Sequence, residues 1–481
     1  MYDVTVIGCG VIGASTAYEL SKYRLAIAVL EKENDVACGT TKANSAIVHA
    51  GYDPQPGTKM ARLNVQGSKM MEALCRRLSV EYKRIGSLVL AFNDTDMTVI
   101  RDLFDRGQKN GVEQMQILTK EQTLEIEPNL STEVVGALYA PTAAIVNPWG
   151  LAIAMAQTAV KNGVELHLNS SVTKITDQGG YYHVETSSGS YDTKYIVNAA
   201  GTHSAEINDM AAKSFFRIIP VKGEYYLLDK SQGGLVSHVI FQPPQKNGKG
   251  VLVSPTVHGN LIVGPTAEPA ESGDDTAVTA QGLEKVVKAA MKSTTKVNFR
   301  ESIRNFTGVR ATTAEDDFII GASKDTPRFI NAAAIKSPGL SAAPAIGQEI
   351  RKILQQNGLV CTEKEDFSDA REQTLFKNMT MEEKRKALKS DPHYGRVICR
   401  CETITEGDIL HVMHSPIPPV SIDGVKRRCN AGMGRCQGGF CGPRVHEILS
   451  RETGVPMEDI CQDRSGSYLL IGRTKDGGTK E

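Results

Sequence analysis

The 481-residue chain has no net charge: 55 Lys and Arg stand against 55 Asp and Glu. That balance excludes a general nucleic-acid binder, which needs a basic excess, although a local basic pocket for a small anion stays open. No run approaches the ~18 uninterrupted apolar residues of a spanning helix. The first residues, MYDVTVIGCG, enter an apolar strand with no basic region or cleavage site, so no signal peptide is expected. A cytoplasmic protein is predicted, with peripheral attachment to the inner membrane through a partner left open. Cysteine is scarce until the last quarter, where seven of the ten fall: Cys361, Cys399, Cys401, Cys429, Cys436, Cys441 and Cys461. In a large chain without a secretory signal, such a cluster points to metal or redox chemistry and away from a disulfide framework. The composition is otherwise that of a globular protein, 41% apolar and 23% charged, and the length suffices for several cores.

Residues 3–7 (DVTVI) are short, β-branched and bounded by glycine, and so predict a buried strand. Gly8-Cys9-Gly10-Val11-Ile12-Gly13 follows, then the helical ASTAYELSK, then a second apolar strand, AIAVLEK, that places Glu31 at its end, 18 residues beyond Gly13. Dinucleotide binding needs this layout. Gly8 permits the tight turn, Gly10 lets the backbone approach a diphosphate, and Gly13 lets helix and strand pack closely. The diphosphate sits at the positive end of the helix, and Glu31 accepts hydrogen bonds from a ribose. NAD and FAD both suit this motif taken alone.

Two blocks carry redox chemistry further along. The segment from Cys38 to Gly51, CGTTKANSAIVHAG, is rich in small residues that let a loop pack along a second phosphate. Near the C-terminus, Cys399-Arg400-Cys401 is separated by 34 residues from Cys436-Gln-Gly-Gly-Phe-Cys441. Four thiolates at two chain positions suit zinc or a [2Fe–2S] cluster. Zinc ribbons usually use two CxxC knuckles, whereas these spacings are CxC and Cx4C. Glycines 432, 434, 438 and 439 let backbone amides approach cluster sulfides. Cys429 lies near enough to be mistaken for a ligand, and Cys9, Cys38 and Cys75 are expected in cores or loops. Thr405, with Asp408 three residues on, reads as a capping box.

On these residues the chain resembles FAD-dependent oxidoreductases of the D-amino-acid-oxidase type, which carry a small-residue block before a His-x-Gly element. Tyr195–Gly201 (YIVNAAG) and SPGLSAAPAIGQEI near residue 340 are similar to that family's later FAD-contacting segments. The cysteine block resembles a bacterioferritin-associated-ferredoxin-like [2Fe–2S] domain, but departs from the stand-alone ferredoxin, whose second pair is CxxC. The resemblance implies an α/β fold. A Rossmann-like FAD-binding domain (1–80 with 140–215 and 310–360) would join an antiparallel-sheet substrate domain (81–139 with 216–309). A linker (361–395) would lead to a small α-rich C-terminal [2Fe–2S]-binding domain (396–464) and a tail (465–481). Stretches such as GSLVLAF, GEYYLLD, VLVSP and NLIVGPTAE alternate as an antiparallel sheet with one open face does.

The resemblance also implies cofactor contacts from Gly8, Gly10, Gly13, Glu31, Thr40, Thr41, Asn44, Ser45, Ala200, Gly201, Gly339, Leu340 and Ser341. Gly308-Val309-Arg310 is similar to the family's Gly-x-Arg element, whose arginine holds an anionic substrate group bidentately without losing its charge. Lys222, in PVKGEYY, would be a second cation or an ordinary exposed strand lysine. His49 would accept a hydroxyl proton or orient the FAD loop, while His203 and His258 are expected to be structural or exposed. The metal ligands would be Cys399, Cys401, Cys436 and Cys441. FAD and a [2Fe–2S] cluster on one chain imply a dehydrogenase that passes electrons onward.

The combination most resembles flavin subunits of the anaerobic glycerol-3-phosphate dehydrogenase family. This implies oxidation of a small anionic substrate and an electron-accepting partner subunit or quinone-linked acceptor, with a hetero-oligomer left open. L-2-hydroxyglutarate dehydrogenases or oxidases are the alternative, weakened because Leu252 and Thr266 fall where that family aligns a histidine and an asparagine. An amino-acid dehydrogenase subunit and a non-catalytic electron-transfer subunit remain further alternatives.

Overall fold

The computed structural model describes residues 1–244, 250–371 and 373–472. Of the expected tail, 473–481 lies outside the described residues. The strand Tyr2–Ile7 is the axis of the first sheet because its VTVI run has no polar face to turn to solvent: Val4 and Val6 are fully buried. It pairs in parallel with Ile27–Leu30 on one side and Gly189–Asn198 on the other. Glu165–His167 and Phe329–Ala333 extend the parallel run outward. Antiparallel strands finish both flanks of Gly189–Asn198 and Phe329–Ala333. The helix Val11–Leu20 is buried almost all round, and its small residues let Pro148–Lys161 and Gly339–Gln356 pack on it.

A second, nine-stranded sheet stands beside the first, assembled from the two excursions of chain between the strands of the nucleotide sheet. Its longest ladder joins Ile219–Leu228 to Ser302–Thr312. The sheet departs from the expected antiparallel pattern at one place, where Ser87–Ala91 and Val239–Phe241 run parallel. The two strands come from separate excursions, so no hairpin constrains their direction.

Residues 361–371 do not form a free linker. Tyr18 donates to Asp369 (2.8 Å), and the half-buried Arg371 donates to the Leu78 carbonyl (3.1 Å) and Gln157 (3.1 Å), strapping this segment to the nucleotide domain. Solvation as expected begins later, at the helix Met381–Ser390, which buries none of its residues and is started by a Thr380/Glu383 capping box. The C-terminal module packs three short helices, Glu406–Met413, Ile422–Cys429 and Gly442–Thr453, on a core containing Ile409, Val425 and Leu449. The Thr405/Asp408 capping box is formed. Among the described residues, no helix is long and apolar enough to cross a membrane.

Candidate active site and cysteine module

The glycine turn between the first strand and helix has no room for side chains. A Cβ on Gly8, at φ +95°, would lie 2.6 Å from the Ala199 carbonyl oxygen, and one on Gly13 would lie 1.9 Å from that of Gly8. The chain can make this turn only with glycine there, and the amides at the helix start then face a cavity of about 1150 Å³. The Val11 amide is already held by the Thr41 hydroxyl at 2.9 Å. Glu31 is buried and accepts from the amides of Cys9 (2.7 Å) and Glu33 (3.0 Å); burial pushes its carboxyl up, against the pull of those amides.

Gly8, Gly10, Glu31, Thr40, Thr41, Asn44, Ser45, Ala200, Gly201, Gly339 and Leu340 all line this one cavity. Two expected contacts stand back from it. Gly13 serves the helix–strand approach just described. Ser341 is fully buried, with its hydroxyl accepting from the His49 amide (2.7 Å) and donating to the Ile47 carbonyl (3.3 Å). A cavity lined by a glycine cradle, a buried acid and further polar groups has the donor set that FAD requires.

His49 and Arg310 also line this cavity. The His49 imidazole stacks on Phe241 (ring centroids 5.8 Å apart) and its Nε2 lies 3.1 Å from the Ser337 hydroxyl. Arg310 reaches the cavity because Gly308 lets its strand close on the cofactor loop, where Thr40 donates to the Val309 carbonyl at 2.6 Å. Arg310 Nη1 donates to the Thr266 carbonyl at 3.4 Å, a long bond that leaves most of the guanidinium fork for a ligand. Tyr225 stacks on Phe306 (4.7 Å, 9°), with its hydroxyl 3.1 Å from that of Ser45.

Lys222 is not brought to this cavity. Side chains alternate along a strand, so Val221, directly across from Arg310, lines the cavity and Lys222 points to the opposite face. There its ammonium pairs with Asp275 at 2.8 Å. His203 sits between Lys32, Glu206 and Asp274 on the cavity rim near Gly201. His258 stacks on Trp149 (6.2 Å, 19°).

The four cysteines singled out by spacing meet as two pairs. Cys401 Sγ is 3.7 Å from Cys436 Sγ, and Cys399 bonds to Cys441. Pairing two and two is the division that a two-iron cluster makes. Gly434 gives Cys401 its room. A Cβ on Gly434 would fall 2.2 Å from Cys401 Cβ. The bond from Cys441, helped by the amides of Gly432 and Glu402, brings the Cys399 thiol down to about 6, and the Phe440 and Gly438 amides lower Cys436. Their partners move the other way: the hydrogen bond to Cys399 raises Cys441, and burial with the hydrogen bond to Cys436 raises Cys401. Cys429, fully buried in its helix, donates to the Val425 carbonyl (3.4 Å) and is pushed up to about 12 by burial, as a non-ligand would be.

The sequence reading missed Asp35, Arg427 and Arg428, which join the two halves, and Ser337 and Thr266, which touch His49 and Arg310. An acid four residues beyond Glu31 and an arginine pair before Cys429 were the available signals. Nothing local in the sequence links them, since they lie 392 and 393 positions apart.

Residues 3–353 match the model of the FAD dependent oxidoreductase family, and residues 397–451 match that of the BFD-like [2Fe-2S] binding domain. The chain is 50% identical over 476 residues to a glycerol 3-phosphate dehydrogenase of Caloramator mitchellensis, covering 99% of each. It is 31% identical over 273 residues to the L-2-hydroxyglutarate dehydrogenase of Escherichia coli strain K12, covering 56% of this chain and 64% of that one. Among solved structures it is similar to a dithionite-reduced, FAD-bound L-alpha-glycerophosphate oxidase from Mycoplasma pneumoniae. There the TM-score is 0.73 at 33% identity, over 76% of this chain and 97% of that one. FAD and a [2Fe–2S] cluster are this chain's cofactors.

Proposed function

From the premise that the chain belongs to the FAD dependent oxidoreductase family, we propose that it oxidises sn-glycerol 3-phosphate to dihydroxyacetone phosphate and passes the electrons through its cysteine module to an external acceptor. The observation that carries this reading is the placing of Arg310 and His49 on one cavity with the glycine cradle. A fixed cation and an imidazole on the same cavity as the cradle suit a short anionic alcohol. The likeness to a glycerol 3-phosphate dehydrogenase over the whole chain supports the phosphate.

In this reading Arg310 holds the phosphate with a fork that stays charged at every working pH. Its bond to the Thr266 carbonyl fixes where the anion sits. His49, steadied by Phe241 and Ser337, receives the C2 hydroxyl proton at Nε2 as the C2–H bond gives up its hydride. Holding the alcohol between the two groups turns an encounter into a positioned reaction, a contribution of ~7 kcal/mol or more when the alignment is good. FAD, when bound, supplies the two-electron acceptor, and the cluster carries electrons singly.

The module's outer side suits electron exit to a partner subunit or quinone-linked acceptor. Cys401 is exposed there, and Phe440, in the loop between Cys436 and Cys441, is 87% exposed. A hetero-oligomer held at a membrane surface by the partner would use this side.

The test is product analysis under anaerobic conditions with a one-electron dye as acceptor. Dihydroxyacetone phosphate formed in step with dye reduction supports the reading, and its absence from protein loaded with both cofactors contradicts it. L-2-hydroxyglutarate is the second reading, because Arg310 suits a carboxylate equally well. Leu252, which lines the cavity near Phe241, offers no second polar contact to such a diacid.

A further inference from the structure

A buried carboxylate, Asp35, stands at the junction between the iron–sulfur module and the nucleotide domain. Asp35 Oδ1 accepts from Arg428 Nη2 at 2.7 Å, and its Oδ2 accepts from Arg428 Nη1 at 2.8 Å and Arg427 Nη2 at 2.9 Å. All three residues are buried, Asp35 to 1% exposure and the arginines to 6% each. Gly424 provides the room: a Cβ there would be 3.3 Å from Asp35 Oδ2. Asp463 forms a second strut, accepting from Arg427 at 2.6 Å and pairing with Lys42 of the cofactor loop.

Both ends of this clamp lead quickly to a cofactor site. Asp35 lies four residues beyond Glu31, and the Ala37 amide donates to the Cys9 carbonyl inside the glycine turn (3.0 Å). On the other side Arg427 and Arg428 end the helix Ile422–Cys429, which Asn430 closes in a left-handed conformation. The Gly432 amide, two residues on, bonds to Cys399. A displacement of the clamp therefore moves the cluster loop against the cofactor cradle.

We propose that Asp35 is a positioning residue for electron transfer, holding the cluster module at a fixed place over the flavin cavity through Arg427 and Arg428. This rests on the reading of the module as the electron exit. Reduced flavin gives up one electron as the cluster gains one, and an external one-electron oxidant must clear the cluster before the second follows. Distance between donor and acceptor governs such a step, whereas the transfer of hydride from substrate is settled at Arg310 and His49.

The experiment compares Asp35→Asn, Asp35→Glu and the double variant Asp35→Asn/Arg428→Gln, the last leaving one fewer arginine unpaired. Bound flavin is reduced anaerobically by light and, separately, by sn-glycerol 3-phosphate, and the appearance of reduced cluster is followed by stopped flow and freeze-quench EPR. Hydrogen exchange across residues 422–432 reports docking independently of turnover. In Asp35→Asn and the double variant, exchange should rise and transfer to the cluster slow several-fold. Flavin reduction by substrate and the EPR spectrum of the reduced cluster should hold, and Asp35→Glu should restore most of the rate. Unchanged transfer despite faster exchange overturns the proposal, as does a parallel fall in substrate reduction of the flavin. Because light supplies electrons without substrate, failure of glycerol 3-phosphate to reduce the wild-type flavin would sink the substrate reading alone. A light-reduced flavin that never reduces the cluster would sink both the exit and the clamp.

Discussion

Gly308 and Ala43 touch backbone to backbone: a Cβ added to Gly308 would come within 1.8 Å of the Ala43 carbonyl oxygen. This contact seats the Arg310 strand on the cofactor loop, so Gly308→Ala must push the two apart. Overpacking of this kind costs ~1–3 kcal/mol. The variant should bind FAD more weakly and lose turnover together. Full FAD content with normal kcat/KM would contradict the assignment.

Arg310 should separate substrate binding from cofactor binding. Losing a charge-assisted contact costs ~1.5–3 kcal/mol, so Arg310→Ala should lower kcat/KM by roughly 10- to 100-fold while flavin content holds. Arg310→Lys should recover only part of this, since an ammonium lacks the planar fork. Steady-state kinetics with a dye acceptor reads both.

Lys222 gives the opposite expectation. Paired with Asp275 on the far face of its strand, it should not hold substrate. Lys222→Met should leave KM for the anionic substrate within about twofold, as for a substitution away from the site. A tenfold rise would return Lys222 to the phosphate.

Much of this was legible because local chemistry demanded it. The glycine spacing with Glu31 marked the cradle, and the CxC and Cx4C pairs marked the [2Fe–2S] binding domain, since turns and thiolates admit few substitutes. Lys222 was misleading because a strand lysine next to a motif carries no sign of which face it takes until register is known. The packing of 361–371 and the clamp at Asp35 were hidden for a different reason. Both depend on contacts between segments hundreds of residues apart, and their charges read as ordinary solvated ones in sequence.

Asp463 adds an acid-side dependence. Lys42 and Arg427 hold its carboxyl at about 2, below the ordinary 3.8, against the cost of burial. A depressed carboxyl contributes stability above its unfolded pKa and loses it as pH falls through the folded one, so the loss runs from about 4 to about 2. The contribution is on the order of 2 kcal/mol at neutral pH. Thermal unfolding should show wild type above Asp463→Asn at pH 6, with the gap shrinking toward pH 3. A gap independent of pH would contradict the ion-pair account.

Cluster ligation divides the cysteines. Cys436→Ser should remove the cluster's visible absorbance and leave flavin reduction by substrate intact, whereas Cys429→Ala should keep the cluster. If Cys436→Ser retained the cluster, or the flavin half-reaction failed in a well-folded variant, the division of labour between the two halves would be wrong.

The most direct test of the central claim is an anaerobic visible titration of the protein carrying both cofactors, with sn-glycerol 3-phosphate and L-2-hydroxyglutarate in separate cuvettes. The account predicts that the flavin band bleaches with the first alone, followed by bleaching of the cluster. Bleaching by L-2-hydroxyglutarate alone, or by neither, would contradict it.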